Sequence, residues 1–153
     1  NNRYSVYTNL ESRQPDRPIY KVAEAHGWEV DSGDGNDLEQ VIAVFQEAVS
    51  RVKANSCPQF LEFETYRWIE HCGPNDDDHL GYRPTKEVRS WKEQCPVRRA
   101  EVKLLSDKVI TQGELDFYRR TIMNEIEESF EFALKSPFPS SDSLYNFSNI
   151  SHL

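Results

Sequence analysis

The sequence predicts an α/β fold in which parallel strands come first and a helical extension follows. An apolar helical stripe over residues 38–52 lies between two strand-like segments, residues 28–30 and 59–66. Strand, helix and strand in this order are typical of a right-handed parallel crossover unit. Beyond residue 84, helix start signals recur without any strand pattern. We therefore expect a parallel sheet in the first part of the chain and helices in the second.

The elements before the crossover helix are short. Asp16-Arg-Pro18 predicts the start of a helix that Gly27 ends, because proline suits the first turn and glycine the residue after the last. Trp28–Val30 predicts a strand. Residues 32–37 predict a turn that becomes the cap of the next helix, with Asn36 or Asp37 as the capping residue.

The crossover helix is predicted from apolar residues that recur at steps of three and four, which places them on one helical face. These residues are Leu38, Val41, Ile42, Phe45, Val49 and Val52. Asn55-Ser-Cys-Pro58 ends the helix, and the second strand follows over residues 59–66.

Three further helices are predicted downstream. Pro84-Thr85 and Pro96 each open a helix, since proline is accepted in a first turn. Thr111-Gln-Gly-Glu114 has the form of a capping box and begins a long helix that Ser136-Pro137 ends. The tail from residue 138 is rich in Ser, Pro and Asn and is expected to be extended or poorly ordered.

Composition excludes several classes of protein. The chain has 153 residues, enough for one domain, and a formal net charge of −8, which disfavours a nucleic-acid binder that must neutralise phosphates. No apolar run has the length of a membrane span, and no signal peptide is visible. The three cysteines are an odd number and predict free thiols in a reducing compartment. We expect a cytoplasmic protein that binds neither membrane nor nucleic acid.

The segment that follows the second strand is the most informative part of the chain. Within residues 67–83 it contains two arginines, two histidines, a cysteine and three consecutive aspartates. Loops positioned by a rigid strand often carry function, and this mixture of Arg, His and carboxylate suits a phosphorylated ligand. The alternative is a solvated loop whose charges pair with one another.

Three motifs, taken in order, resemble a known family. They are Asn1-Asn2-Arg3-Tyr4, Asp34-Gly-Asn-Asp37, and the Thr65-Tyr-Arg67…His71…Tyr82-Arg83 loop. Their order and spacing resemble the alpha subunit of thiamine-diphosphate-dependent 2-oxoacid dehydrogenases, and the resemblance continues to about residue 145. It implies the C-terminal half of a parallel-sheet thiamine-diphosphate-binding domain over residues 1–83, with an active-site loop at 67–83. A helical C-terminal extension over residues 84–137 and a tail over 138–153 follow.

The resemblance also implies thiamine diphosphate and Mg²⁺ as cofactors. The side-chain oxygen of Asn2 and the backbone carbonyl of Tyr4 match the family's Mg²⁺ ligands, and hard oxygen donors suit that ion. Arg67, His71 and Arg83 match residues that bind the cofactor or order the loop around it. His71 matches the catalytic loop histidine, whose imidazole hydrogen-bonds a phosphate and relays a proton near neutral pH.

The implied activity is decarboxylation of a 2-oxoacid, or cleavage of an acetoin-like substrate, with transfer of the acyl group to an acceptor. In this family a beta subunit completes the site in an α2β2 assembly, and a lipoyl acyltransferase component is a further possible partner. The family's cofactor motif opens with Gly-Asp-Gly ahead of the paired asparagine, and that opening is not part of this sequence. We therefore expect this chain alone to be inactive. The alternative is a non-catalytic remnant or assembly fragment.

Four other site interpretations compete with this one. Gly33-Asp34-Gly35 lies after the paired asparagine and so does not match the opening of the cofactor motif. The run Asp76-Asp77-Asp78-His79 is a possible second metal site, but a solvated acidic loop is favoured because consecutive side chains diverge. A zinc site made from the cysteines and histidines lacks the usual ligand spacing. Glu62 and Glu64 are a possible carboxylate pair on one side of their strand, but solvent exposure or packing against an arginine is favoured.

Cys72 marks a departure from the mitochondrial members of the family. The segment Trp68-Ile-Glu-His-Cys-Gly-Pro74 resembles a bacterial branch, which implies a bacterial protein. Mitochondrial members carry a serine directly after the loop histidine, and phosphorylation of that serine inactivates them. A cysteine is not a substrate for the same kinases, so that regulation is not expected here.

Overall fold

A computed structural model of the chain describes residues 1–145. It divides into two compact units, Asn1–Val109 and a second unit that starts at Ile110. The first unit contains strands β1 to β4 and helices α1 to α4, with a 3-10 turn at Asp78–Leu80. In chain order these are β1 Tyr4–Ser5, β2 Thr8–Asn9, α1 Tyr20–Ala25, β3 Glu29–Asp34, α2 Leu38–Asn55, β4 Gln59–Glu64, α3 Thr85–Glu93 and α4 Pro96–Ser106. The second unit contains α5 Gln112–Lys135 and a 3-10 turn at Ser141–Tyr145.

Strands β3 and β4 pair in parallel, and α2 connects them, which confirms the parallel arrangement expected from the sequence. The register runs from Glu29 opposite Gln59 to Asp34 opposite Glu64. β3 is longer than expected, because the glycine-containing segment assigned to a turn continues the ladder as far as Asp34. The turn is confined to the residues between Asp34 and the start of α2.

The first residue of the chain extends this sheet beyond β4. The Asn1 amino group donates to the Phe63 carbonyl at 2.9 Å, and the Thr65 amide donates to the Asn1 carbonyl at 2.9 Å. This alternation of bonds on either side of Glu64 is the pattern of a parallel pair. The segment that carries Asn2 and Tyr4 therefore starts at the sheet, next to the carboxyl end of β4.

Helix α2 begins and ends as the sequence indicates. The Asp37 side chain accepts from the Gln40 amide at 3.1 Å, which identifies Asp37 as the cap, and Ser56 ends the helix in the left-handed region with φ of 53°. Of the described α2 residues only Ala48 is buried. The apolar stripe is only partly covered: Phe45 remains 58% exposed, because a two-stranded sheet spans less than the width of the helical face.

The remaining helix boundaries largely confirm the predictions. Pro84 caps α3, Pro96 begins α4, and α5 carries a complete capping box between Thr111 and Glu114. The first helix is the exception, because it begins at Tyr20 rather than next to Pro18. Gly27 follows it with φ of 83°, a conformation that favours glycine.

The tail departs in part from an extended segment, since residues 141–145 form a 3-10 turn. The rest of the predicted tail, residues 146–153, lies outside the described residues. None of the helices within residues 1–145 is both long enough and apolar enough to cross a membrane.

Candidate active site

The paired asparagine forms a compact turn at the edge of the sheet. The Asn1 side-chain oxygen accepts from the Arg3 amide at 3.0 Å, and the Asn2 oxygen accepts from the Tyr4 amide at 3.2 Å. Arg3 has φ of 64°, so the backbone turns sharply away from β4. The amide oxygen of Asn2 and the carbonyl of Tyr4 therefore belong to one short turn. Both are hard oxygen donors of the kind that Mg²⁺ takes alongside water and phosphate oxygens.

Four tyrosines pack together beside this turn and form what we call the tyrosine cluster: Tyr4, Tyr7, Tyr66 and Tyr82. Their rings meet edge to face, with centroid distances of 5.8 Å for Tyr4–Tyr66, 5.9 Å for Tyr4–Tyr82 and 4.9 Å for Tyr7–Tyr82. Trp91 of α3 stacks on Tyr66 at 5.4 Å. Edge-to-face packing of this kind adds to the stabilisation from burial alone. The cluster joins the first hairpin, the loop after β4 and helix α3.

Arg83 lies at the centre of the loop and is 3% exposed. Its guanidinium donates to the carboxylate of Asp77, to Asp78 at 2.9 Å and to the backbone carbonyl of Arg67. It also lies 5.0 Å from the centroid of the Tyr82 ring. These contacts tie both ends of the 67–83 loop together, so Arg83 orders the loop from within.

Arg67 connects the loop to the first hairpin. Its Nη2 donates to the Val6 carbonyl at 2.8 Å and to the Tyr82 hydroxyl at 2.9 Å. Val6 has φ of 54°, a strained conformation for a β-branched residue, and the bond from Arg67 holds that turn. The Nε and Nη1 groups of Arg67 are buried without a hydrogen-bond partner in the described part of the chain. Unmatched cationic donors of this kind fit an anionic partner or ordered water.

His71 lies on a small turn within the same loop. The Glu70 amide donates to the Asn75 carbonyl at 2.9 Å, and the Asn75 side chain returns a bond to the Glu70 carboxylate at 2.7 Å. The carboxylate also lies against Gly73, where an added Cβ would come within 2.4 Å of Oε1. His71 and Cys72 are exposed on this turn. The imidazole is thus available to a ligand. The contacts around the tyrosine cluster bring Tyr4, Arg67 and Arg83 together, but they do not include His71.

The acidic run is not the solvated loop that the sequence favours. Asp77 is 3% exposed and accepts from Arg83 and from the Tyr82 hydroxyl, the latter at 2.6 Å. Asp78 is bound by Arg83 and by Lys92 at 3.1 Å. Only Asp76 faces solvent, with Lys92 3.5 Å away. The expectation was wrong for Asp77 because the turn directs consecutive side chains in different directions, one of them inward. Within residues 1–145, no three His, Cys, Asp or Glu side chains are grouped to hold a metal.

A cavity of about 770 Å³ opens at the carboxyl ends of β3 and β4, the edge at which parallel sheets bind ligands. Its walls include Arg3, Asp34, Glu62, Glu64 and Trp91. Both oxygens of Glu62 are already used, one by the Asn1 side chain at 2.7 Å and one by the Tyr20 amide at 2.9 Å. Glu62 therefore holds the wall of the cavity in place, which does not favour a reactive carboxylate pair.

Burial raises the pKa of three tyrosines of the site, Tyr4, Tyr66 and Tyr82. Desolvation, reinforced by a hydrogen bond to Glu87, raises the pKa of Tyr4 to about 12. Burial also raises the pKa of Tyr66 and of Tyr82, in each case with a nearby carboxylate contributing. All three phenols stay neutral near pH 7 and act as hydrogen-bond donors or packing surface rather than as bases.

Sequence reasoning missed several residues of this site, namely Tyr66, Asp77, Tyr82, Glu87 and Trp91. Tyr66 and Tyr82 directly precede the two arginines of the loop, and this adjacency could have identified them as site residues from the sequence. Nothing in the sequence pairs Glu87 with Tyr4, since 83 residues separate them.

The parallel strands β3 and β4, with the helices around them, make the first unit a mixed α/β fold. The family model for the dehydrogenase E1 component matches residues 1–142. The chain belongs to the dehydrogenase E1 component family, as the motifs of the sequence predict.

Individual relatives agree with this assignment. The chain is 32% identical over 145 residues to the pyruvate dehydrogenase E1 component subunit alpha of Rickettsia typhi. The aligned region covers 95% of this chain and 44% of the relative. It is 31% identical over 129 residues to the protein of the same name from Porphyra purpurea, covering 84% and 37%. The chloroplastic subunit alpha-3 of Oryza sativa subsp. japonica is 28% identical over 139 residues, covering 91% and 32%. The chain spans less than half the length of these relatives.

Proposed function

We propose that this chain is the C-terminal part of the alpha subunit of a thiamine-diphosphate-dependent dehydrogenase that decarboxylates a 2-oxoacid, with pyruvate the first candidate substrate. The observation that carries the proposal is the joining of two matched segments in one site. Arg67 of the loop bonds to the Val6 carbonyl in the hairpin that follows the paired asparagine. The names of the relatives support pyruvate.

The residues fit the cofactor chemically. Asn2 and Tyr4 offer two hard oxygens to Mg²⁺, and the unmatched nitrogens of Arg67 fit the negative charge of a diphosphate. When bound, thiamine diphosphate supplies the carbanion chemistry of decarboxylation. Two of the chain's own residues have distinct roles. Arg83 orders the loop, and the exposed imidazole of His71 would hydrogen-bond a diphosphate oxygen of the bound cofactor and hold or move a proton.

We also propose that other polypeptide covers much of this chain's surface. Many large apolar side chains are exposed in both units, among them Phe45 at 58%, Phe117 at 57% and Phe132 at 76%. Surface of this kind marks contact with further protein. The rest of the alpha subunit and a beta subunit in an α2β2 assembly fit that role, with a lipoyl acyltransferase component as the acyl acceptor. The bacterial cytoplasmic location remains a prediction, since the relatives include chloroplast proteins.

The test uses the complete alpha subunit co-expressed with its beta subunit. We expect turnover of pyruvate, or of another 2-oxoacid, that depends on added thiamine diphosphate and Mg²⁺. Asn2→Ala removes one metal ligand and should raise the Mg²⁺ concentration for half-maximal activity by at least about tenfold, since even groups that only orient ligands have effects of that size. Asn55→Ala, at the exposed end of α2, is the matched control and should change nothing.

The absence of cofactor-dependent turnover with every 2-oxoacid tried would contradict the proposal. It would favour the alternative of a non-catalytic assembly fragment, which the exposed apolar surface equally supports. If Asn2→Ala and Asn55→Ala had equal effects on the Mg²⁺ requirement, Asn2 would not be a metal ligand.

A further inference from the structure

Glu87 is the carboxylate that bonds to the Tyr4 side chain, in the turn expected to hold Mg²⁺. Its Oε2 accepts from the Tyr4 hydroxyl at 2.9 Å, and Tyr4 as a residue is only 9% exposed. Glu87 therefore lies at the far end of a side chain whose backbone supplies one of the two candidate oxygen ligands.

The position of Glu87 is itself well fixed. It lies in the first turn of α3, where a negative charge is favourable next to the helix N-terminus. The next residue, Val88, is 3% exposed and anchors the helix. Pro84, the cap of α3, directly follows Arg83, so the ordered loop and the helix form one continuous support.

Tyr4 is held tightly at its side chain, and its amide also donates to the Asn2 oxygen at 3.2 Å. Its ring packs against Tyr66 and Tyr82, and its hydroxyl bonds to Glu87. The residue before it has a positive φ, and the hairpin after it spans only two paired positions, Tyr4 with Asn9 and Ser5 with Thr8. Because these backbone restraints are short, we expect the anchoring of the side chain to contribute to the direction of the Tyr4 carbonyl.

We propose that Glu87 is a positioning residue that fixes the Tyr4 carbonyl for Mg²⁺ through its hydrogen bond to the Tyr4 hydroxyl. This inference rests on the proposed function. A bond that only stabilised the fold would lower the melting temperature and leave metal affinity unchanged, whereas a positioning bond changes metal affinity in the folded protein.

The test measures cofactor binding without turnover. Thiamine diphosphate is titrated into the complete alpha and beta subunits by calorimetry at a series of Mg²⁺ concentrations. Glu87→Ala should raise the Mg²⁺ concentration for half-maximal binding by about 10- to 100-fold, the range for groups that orient metal ligands. Tyr4→Phe, which keeps the ring and removes the hydroxyl, should have an effect of the same size. Glu87→Gln keeps an acceptor oxygen and should have a smaller effect than Glu87→Ala.

Two comparisons make the result specific. The double variant Tyr4→Phe/Glu87→Ala should be no worse than either single variant, because both act through one bond. Glu93→Ala removes the same charge from the exposed end of α3 and should leave the Mg²⁺ requirement unchanged.

An unchanged Mg²⁺ requirement in Glu87→Ala or Tyr4→Phe would overturn the proposal, as would additive effects of the two substitutions. If Glu87→Ala does not fold, Tyr4→Phe and Glu87→Gln decide the question. Parent protein that shows no Mg²⁺-dependent binding at all would overturn the proposed function, and this inference with it. Normal Mg²⁺-dependent binding by the parent, together with no effect of the substitutions, would overturn only the role of Glu87 and leave the proposed function standing.

Discussion

Replacing Asp77 with alanine should release the 67–83 loop. The side chains of Arg83 and Asp77 are 1% and 4% exposed, so the substitution leaves a buried guanidinium without its main partner. Removing one member of a buried ion pair costs about 3–5 kcal/mol. The Tyr82 hydroxyl loses its acceptor in the same substitution. Asp77 therefore contributes far more to loop stability than its place in an acidic run indicates.

Hydrogen exchange of the loop amides measures this loss directly. The Leu80 amide donates to the Asp77 carbonyl at 3.0 Å and the Gly81 amide to the Asp78 carbonyl at 3.2 Å, so both report on opening of the loop. A loss of 3–5 kcal/mol lowers their protection by roughly 10²- to 10³-fold or more where the loop opens locally.

Asp76→Ala is the matched control, since it removes the same charge one residue earlier. Asp76 is 60% exposed, with Lys92 at 3.5 Å, and it accepts one bond from the Asp78 amide at 2.9 Å, so its removal should lower protection far less than removal of Asp77. Equal protection in the two variants would refute the argument that burial, rather than charge, makes Asp77 important.

Two further predictions concern pH and association. Because the pKa of Tyr4 rises from 10.0 to about 12 on folding, its contribution to stability is complete below pH 10 and is lost as the pH rises towards 12. Thermal melts should show a falling melting temperature over this range, and Tyr4→Phe should make the fall smaller. An identical pH profile in the variant would contradict the assignment. The 153-residue chain by itself should associate, because Phe45 and Phe132 are exposed and the sheet has open edges. It should also bind thiamine diphosphate weakly or not at all. A sharp monomer peak in ultracentrifugation would contradict the first expectation, and micromolar cofactor binding in calorimetry would contradict the second.

Local signals predicted the helices well because their causes are local. The capping box at Thr111, the proline at Pro96 and the cap at Asp37 each act within one turn of helix, and each appears where the sequence places it. The parallel pairing of β3 and β4 also followed from the order of the elements.

The site was less predictable because its contacts join distant segments. Asp77 and its neighbours look solvated in sequence, and only the fold shows that one of them turns inward to Arg83. The bond between Tyr4 and Glu87 has no sequence signal either. The motifs indicated where the loop begins and ends, but not which of its charges hold it together.

The most direct test of the account compares two histidines of one loop. His71 and His79 are both exposed, and only His71 matches the family's loop histidine. In the complete enzyme, His71→Ala should lower kcat with an acyl acceptor by roughly 10²-fold or more, the usual effect of losing a positioned proton-transfer group. His79→Ala should cost little, and neither substitution should change the melting temperature appreciably. Equal effects on turnover, or no effect from either, would contradict the assignment of His71 and leave the loop with a structural role alone.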